Sequence, residues 1–293
     1  MYKNFRGVFT ALITPFLEDG SVDYESYVRL ISSQIDKGIS GLVPCGSTGE
    51  APSLELAEQL ELIGQCVKLS KGRVPVMAGV GSNNTAHTIH LAKEAESLGA
   101  DALLIIVPYY NKPSKEGIIE HFRAIDKAVN IPIVVYNHPG RTGVDIGIDV
   151  IETLSGFKNI AGTKDLCGDF LRPLEIKKRI GDDFIQFSGD DGTNLALYSH
   201  GGHGAISVAA NILPSEMENI YKEAARNNFA EALKLHAKYT DLYNALSYAN
   251  PIAVKYFTKL LGISTGKLRL PLVELDQKRQ DAARTILSDL SLI

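Results

Sequence analysis

The chain has 293 residues, of which 45% are hydrophobic and 22% are charged, proportions close to those of ordinary globular proteins. This composition excludes disordered and fibrous proteins, and the length allows a large buried core without a disulfide or a structural metal. A formal net charge of -4 argues against a nucleic-acid partner, because proteins that bind nucleic acids usually carry a basic surface.

Three cysteines, Cys45, Cys66 and Cys167, are an odd number without paired spacing, so we expect free thiols in a reducing compartment. The first residues lack the apolar segment of a signal peptide, and no apolar run reaches the roughly 18 residues that a membrane span needs. The seven histidines show no spacing that is typical of a metal site. These observations predict a cytoplasmic protein without a membrane partner and without a metal.

Eight short apolar runs rich in β-branched residues follow one another along the chain, separated by segments whose apolar residues have helical spacing. They begin roughly 20 to 33 residues apart, which suits a strand, a crossover helix and two loops. The runs are residues 8–14, 41–45, 74–80, 102–108, 131–137, 160–164, 184–188 and 204–208. We predict an α/β fold, a parallel (β/α)₈ TIM barrel. A doubly wound open sheet is the alternative, but its usual Gly-x-Gly-x-x-Gly motif is absent from the sequence.

The β-branched runs stop after residue 213. Residues 214–226, 229–247, 251–261 and 274–290 are predicted to be helical, with Pro214 and Pro251 at first-turn positions. No linker rich in Pro, Gly or Ser separates this segment from the preceding one. We therefore predict that residues 1–213 form the barrel and that residues 214–293 form a C-terminal helical extension packed on it in the same domain. An independent helical domain is the alternative.

Polar residues directly follow the apolar runs, at the rim where TIM-barrel enzymes carry their chemistry. Lys164 ends the sixth run, where burial would lower the pKa of its amine and let it attack a ketone to form a Schiff base. The alternative is an ion pair with Asp165 or with another carboxylate. Tyr136 ends the fifth run and should lie about 4.8 Å away across the sheet. Its phenol could shuttle protons, or its ring could simply fill the top of the barrel.

Two loops at the same rim have residues that suit an anion. Residues 46–50 offer backbone N–H groups and the hydroxyls of Ser47 and Thr48 just before a predicted helix, as a carboxylate or phosphate cradle would. The alternative is a helix cap whose glycines permit a tight turn. Arg141 could bind a carboxylate through two hydrogen bonds, or it could form a surface ion pair.

Six motifs in combination resemble the dihydrodipicolinate synthase/N-acetylneuraminate lyase family of Schiff-base aldolases, and they extend over almost the whole chain. They are Gly-Ser-Thr-Gly-Glu at 46–50, Pro-Tyr-Tyr-Asn-Lys-Pro at 108–113, Tyr136-Asn137 before Arg141, Gly-Thr-Lys-Asp at 162–165, Ser-Gly-Asp-Asp at 188–191 and Gly-Ala-Ile-Ser-Val at 204–208. The resemblance implies a lyase that needs no cofactor and condenses pyruvate with L-aspartate-4-semialdehyde, on the way to diaminopimelate and lysine. Arg141 favours this synthase branch, in which an arginine holds the semialdehyde carboxylate.

The resemblance also implies the catalytic residues. Lys164 forms the imine with pyruvate, and Tyr136 donates and accepts protons beside it. Ser47 and Tyr110 complete a relay of hydroxyls with Tyr136. Tyr110 reaches in from a neighbouring subunit, since the family commonly forms a homotetramer built from two tight dimers.

Four further residues are implied to bind the substrates. Thr48 and adjacent backbone N–H groups hold the pyruvate carboxylate, and Arg141 holds the carboxylate of the semialdehyde. Gly189 and the carbonyl of Ile206 shape the pocket around the lysine.

The sequence departs from the family pattern at several positions. Ser47 replaces a usual threonine, Asp165 replaces a common glutamate, and His138 stands where a small apolar residue is usual, with no role assigned to it. Members inhibited by lysine use a histidine and a glutamate at the positions that here carry Leu56 and His87. We therefore expect weak or absent inhibition by lysine.

Two other functions are compatible with parts of this pattern. A pyruvate-dependent aldolase for a sugar acid or a hydroxy-oxo acid, similar to N-acetylneuraminate lyase, would share Lys164 and Tyr136 but would not need Arg141. A non-catalytic member that binds pyruvate would need none of the relay, and the presence of Lys164, Tyr136 and Tyr110 together argues against it.

Overall fold

A computed structural model describes residues 5–293, in which eight parallel strands form one sheet. Hydrogen-bonded ladders join β1 to β2 and each strand from β3 to β8 to the next, and β1 also pairs with β8. A parallel bridge between Leu42 and Val76 joins β2 to β3 and brings the sheet round to a nearly closed barrel. The predicted TIM barrel is confirmed. The strands are β1 Gly7–Ala11, β2 Gly41–Val43, β3 Met77–Gly79, β4 Ala102–Ile106, β5 Ile133–Asn137, β6 Ile160–Asp165, β7 Ile185–Ser188 and β8 Gly204–Ser207.

Helices alternate with the strands and then continue alone towards the C-terminus. They are α1 Tyr24–Asp36, α2 Leu56–Ser70, α3 Thr85–Ser97, α4 Lys115–Asp126, α5 Pro139–Thr142, α6 Gly147–Ser155, α7 Arg172–Arg179, α8 Asn194–Ser199, α9 Pro214–Ala225, α10 Phe229–Ala237, α11 Thr240–Ser247, α12 Ile252–Leu260 and α13 Gln277–Asp289. Several begin where a polar side chain accepts a hydrogen bond from a backbone N–H of the first turn, as N-cap residues do. These caps are Asp23, Asn84, Ser114 and Asp276.

Successive side chains along each strand point alternately outward to the helices and inward to the barrel, which gives two sets of buried side chains. In β5, Ile133 and Val135 pack outward against the surrounding helices, while Val134 and Tyr136 point into the barrel. Tyr136 is therefore the inward side chain nearest the carboxyl end of its strand. This placement follows from a period of two residues in a strand that is buried on both faces.

Helix α9 completes the barrel. The Glu218 carboxylate on this helix accepts a hydrogen bond from the backbone N–H of Val8 at 3.0 Å and another from the Ser40 hydroxyl at 2.9 Å. We propose that the barrel and the helical extension predicted at residues 214–293 form one domain. Within that extension, we assign α9 to the barrel as its last helix, and α10 to α13 then follow it. Apolar residues of both parts belong to one continuous buried cluster, which supports this proposal.

Several boundaries in the C-terminal part differ from the prediction, and the last helix begins at Gln277, three residues later than predicted. The helix predicted at 229–247 is two helices, because the chain turns at Lys238 and Tyr239 and buries the Tyr239 side chain there. Periodicity did not reveal this turn, since both helices carry apolar residues at helical spacing. Pro251 directly precedes α12 instead of lying in its first turn. No helix among residues 5–293 is long and apolar enough to cross a membrane.

Candidate active site

The carboxyl ends of the strands surround a cavity of about 530 Å³. Seven of the eight site residues that the sequence predicts line it. They are Ser47, Thr48, Tyr136, Arg141, Lys164, Gly189 and Ile206. The cavity therefore brings together residues that are spread over 160 positions of the chain, from 47 to 206.

Lys164 lies in the wall of this cavity with only 7% of its surface exposed. Its Cα pairs with that of Tyr136 across β5 and β6, as predicted, and its Nζ lies 4.2 Å from the centre of the Tyr136 ring. Burial, together with the charge of Arg141, lowers the pKa of Lys164 to about 7, against a smaller opposing effect of Asp191. About half of the amine is thus uncharged near neutral pH, which is the form that attacks a ketone.

The alternative of an ion pair between Lys164 and Asp165 does not agree with the structure. Asp165 instead bonds to Arg172 at 3.2 Å and to the Asn137 amide at 3.0 Å. Among residues 5–293, no carboxylate lies within ion-pair distance of the Lys164 amine. The amine is therefore left available to a ligand in the cavity.

Tyr136 is buried beside the amine, and its phenol has two polar neighbours. Burial raises the pKa of Tyr136, while the charge of Arg141 and hydrogen bonding with Ser47 and Arg141 oppose the rise. A phenol that is protonated at neutral pH and contacts a second hydroxyl can pass a proton along that contact. The predicted neighbours Tyr136 and Ser47 are thus placed together by the fold.

The loop at 46–50 is built differently from the prediction. It does not directly precede a helix, because a short 3₁₀ turn at Ala51–Ser53 follows it and α2 begins only at Leu56. The backbone N–H of Gly49 and that of Glu50 are bonded inside the loop, to the carbonyls of residues 46 and 47. Among the described residues, the N–H groups of Ser47 and Thr48 have no such acceptor. The loop can therefore bind a carboxylate through these two donors, without a helix dipole behind them.

Gly189 is a glycine because no side chain fits there. A Cβ at this position would lie 1.8 Å from Cδ1 of Leu166 and 2.7 Å from Cε of Lys164. Ile206 lies on the adjacent strand β8 and is buried in the barrel interior. These contacts give the lysine side chain the room that its conformation requires.

Arg141 is exposed on α5 and extends over the mouth of the cavity. Its Nη2 donates to the backbone carbonyl of Asn250 at 2.9 Å. Within residues 5–293 it has no carboxylate partner at ion-pair distance, so the predicted alternative of a surface ion pair is not what the structure shows. A guanidinium held in this way can bind the carboxylate of a ligand.

Tyr110 is the one predicted residue that a single chain does not bring to the cavity. Its surface is 88% exposed, and its φ of 70° places it in the left-handed region. Its participation in the hydroxyl relay from a neighbouring subunit stays a prediction.

The structure adds a residue that the sequence did not indicate, Asn250. Its Nδ2 donates to the hydroxyl of Thr48 at 3.1 Å, while its Oδ1 is buried without a hydrogen-bond partner in the described chain. Asn250 lines the cavity with Lys164 although it lies just before α12, in the C-terminal part. No motif in the sequence could have indicated this position, because its approach to the rim depends on how the extension packs.

Comparisons with known proteins identify the family of this chain. The model of the dihydrodipicolinate synthetase family matches residues 4–290. The chain is 44% identical over 290 residues to the 4-hydroxy-tetrahydrodipicolinate synthase of Bradyrhizobium diazoefficiens, covering 99% of this chain and 98% of that one.

Solved structures of the same family match nearly the whole chain as well. Dihydrodipicolinate synthase from Aquifex aeolicus has a TM-score of 0.96 at 39% identity and covers 98% of each chain. The enzyme from Acinetobacter baumannii, crystallised with pyruvate, has a TM-score of 0.96 at 38% identity and covers 99% of this chain and 100% of that one. The chain described here therefore belongs to the dihydrodipicolinate synthetase family.

Proposed function

We propose that this protein condenses pyruvate with L-aspartate-4-semialdehyde, through a Schiff base on Lys164, to form 4-hydroxy-tetrahydrodipicolinate. The observation that carries the proposal is the buried amine of Lys164, with a pKa near 7 and the Tyr136 ring 4.2 Å away. Relatives that carry this enzyme name match the chain over nearly its full length, which supports the same acceptor.

The reaction would begin when the neutral amine attacks the keto carbon of pyruvate and water leaves, giving the imine. The imine withdraws electrons, so a proton leaves the pyruvate methyl and an enamine forms. The enamine carbon then attacks the aldehyde of the second substrate, and the new alkoxide takes up a proton. The amino group of that substrate then attacks the imine carbon, which closes the ring and releases the Lys164 amine. Tyr136 and Ser47 are placed to carry these protons, and the N–H groups of Ser47 and Thr48 are placed to hold the pyruvate carboxylate.

Arg141→Ala is expected to raise the KM for aspartate-4-semialdehyde by roughly tenfold or more and to change the KM for pyruvate far less. The reason is that the substitution removes the charged donor at the mouth of the cavity and leaves the lysine in place. The measurement is steady-state kinetics with each substrate varied in turn. Arg141→Lys serves as the matched control, since it keeps the charge but loses the planar pair of donors.

The same assays test the proposed acceptor. The native protein should turn over aspartate-4-semialdehyde and not N-acetylmannosamine, the acceptor of a sialic-acid lyase. If the protein turns over N-acetylmannosamine and not the semialdehyde, the proposed function is replaced by the alternative of a sugar-acid aldolase. An Arg141→Ala protein with equally raised KM values for both substrates of the condensation would contradict the role given to Arg141.

A second cavity of about 660 Å³ adjoins the first and shares Ser47 and Tyr136 with it. Asn83, His87 and Tyr109 also line it. Among the described residues that line it, the only carboxylate belongs to Glu50, which is bound to Lys255 at 2.6 Å. A lysine ligand would therefore find no free carboxylate for its ammonium groups.

We accordingly expect lysine to inhibit this protein weakly or not at all, because the unpaired ammonium would lose a charged hydrogen bond that is worth about 1.5–3 kcal/mol. His87→Glu should introduce inhibition or strengthen it by about tenfold or more. Both proteins are assayed at constant substrate with lysine varied. Strong inhibition of the native protein would show that another group binds the ammonium.

We propose further that the protein is a homotetramer and works in the cytoplasm. The exposed Tyr110 supports assembly of more than one chain, since a relay that includes it needs a second chain. The free cysteines support the proposed location in the cytoplasm. Cys45 and Cys66 are buried and Cys167 is half-buried, as reduced thiols of a reducing compartment can be.

A further inference from the structure

One histidine, His138, lies in the wall of the cavity that contains Lys164. It directly follows β5, and its ring centre is 6.0 Å from that of Tyr136. With Leu166 and Asp190 it also lines a neighbouring pocket of about 190 Å³. The imidazole therefore forms part of the partition between the reaction cavity and this smaller pocket.

The two ring nitrogens of His138 have different surroundings. Nδ1 is closed off from solvent and has no hydrogen-bond partner among residues 5–293. On that side the ring packs along Gly140, where an added Cβ would lie 3.2 Å from Cε1 and 3.5 Å from Nδ1. Nε2 is not enclosed in this way, and no described residue bonds to it. The Nε2 edge is thus the part of the ring that is open to a ligand.

The imidazole is neutral under ordinary conditions. Burial, together with the charges of Arg141 and Lys164, lowers the pKa of His138 to about 4, against an opposing effect of Asp190. A neutral imidazole presents one N–H donor and one acceptor. It can donate a hydrogen bond without adding a positive charge beside the amine of Lys164.

We propose that Nε2–H of His138 donates a hydrogen bond to a carboxylate oxygen of the acceptor, and that this bond helps to select acceptors that carry a carboxylate. The inference rests on the proposed function. Arg141 lies three residues further along the chain, and both side chains line the same cavity. One charged and one neutral donor on the same turn fit the two oxygens of a single carboxylate.

Three substitutions separate this role from a structural one. His138→Gln can place an amide near the position of Nε2, His138→Asn can place one only near Nδ1, and His138→Val removes both. The KM for aspartate-4-semialdehyde should rise about tenfold in the Val and Asn proteins and stay within about threefold in the Gln protein. The KM for pyruvate should stay within about twofold in all three.

Other outcomes contradict the inference. A histidine that only fills space would give variants in which both KM values rise together, or in which Asn and Gln behave alike. An acceptor KM that none of the three changes would also overturn it.

Assays of the native protein distinguish a failure of the proposed function from a failure of the role proposed for His138. Native protein that is trapped by borohydride with pyruvate, but that does not condense the semialdehyde, overturns the acceptor and this inference together. Normal native turnover with unaltered variants overturns the role of His138 alone.

Discussion

Lys164→Met is expected to lower kcat for the condensation by at least about a thousandfold. The substitution keeps an unbranched side chain of similar length in a buried position but removes the nitrogen that bonds to pyruvate. Activity is measured with both substrates saturating. Borohydride is then added to protein and pyruvate, and intact mass should show an adduct on the native protein and none on the variant.

The exposed Lys234 provides a matched control, because Lys234→Met removes an amine from the surface of α10 and should leave both readouts unchanged. The pH dependence of adduct formation provides a further readout. Since the pKa of Lys164 is about 7, the amine is mostly charged below that pH and mostly neutral above it. Adduct formation should slow by about tenfold for each pH unit below 6. A Lys164→Met protein that still forms the reduced adduct would refute the assignment.

Glu50→Gln is expected to lower the free energy of unfolding by about 3–5 kcal/mol. Glu50 and Lys255 form an ion pair of 2.6 Å in which both side chains are fully buried. The other carboxylate oxygen accepts the backbone N–H of Arg269 at 3.1 Å, and the Lys255 amine lies 4.0 Å from the centre of the Phe16 ring. Loss of the carboxylate leaves this amine buried without an opposite charge. The measurement is urea unfolding at a fixed protein concentration.

A double substitution and a surface pair supply the controls. Burial lowers the pKa of Lys255 to about 8, so a buried amine at this position is costly by itself. Glu50→Gln combined with Lys255→Met should therefore be more stable than Glu50→Gln alone. Glu231→Gln breaks the exposed pair of Glu231 and Lys234, at 3.5 Å, and should cost less than about 1 kcal/mol. Equal losses from the buried and the exposed pair would contradict this account.

Much of the reaction cavity could be predicted from the sequence because it depends on regular features of parallel strands. The apolar runs set the number of strands, and the period of two residues sets which side chains point inward. Tyr136 and Lys164 end adjacent strands of a parallel sheet, so the register of the sheet brings them together. The carboxyl ends of all the strands meet at one rim, which is why polar residues far apart in the chain share one cavity.

Loop conformation and long-range packing could not be predicted in the same way. The sequence motif at 46–50 indicated an anion-binding loop but not that α2 begins as late as Leu56, because the intervening 3₁₀ turn depends on local hydrogen bonds. The orientation of the His138 ring depends on the space that Gly140 leaves beside it. Neither feature has a period that a pattern of apolar residues could reveal.

The sequence by itself determined the barrel, its rim and the pairing of the lysine with the tyrosine, since these follow from strand periodicity and chain order. Only the tertiary structure decided that Asn250 approaches Thr48 and that Lys255 pairs with Glu50, 205 residues away. Contacts of this kind depend on how the C-terminal helices dock on the barrel. Docking is fixed by the complementary shapes of two apolar surfaces, and the order of residues along one segment does not specify the partner surface.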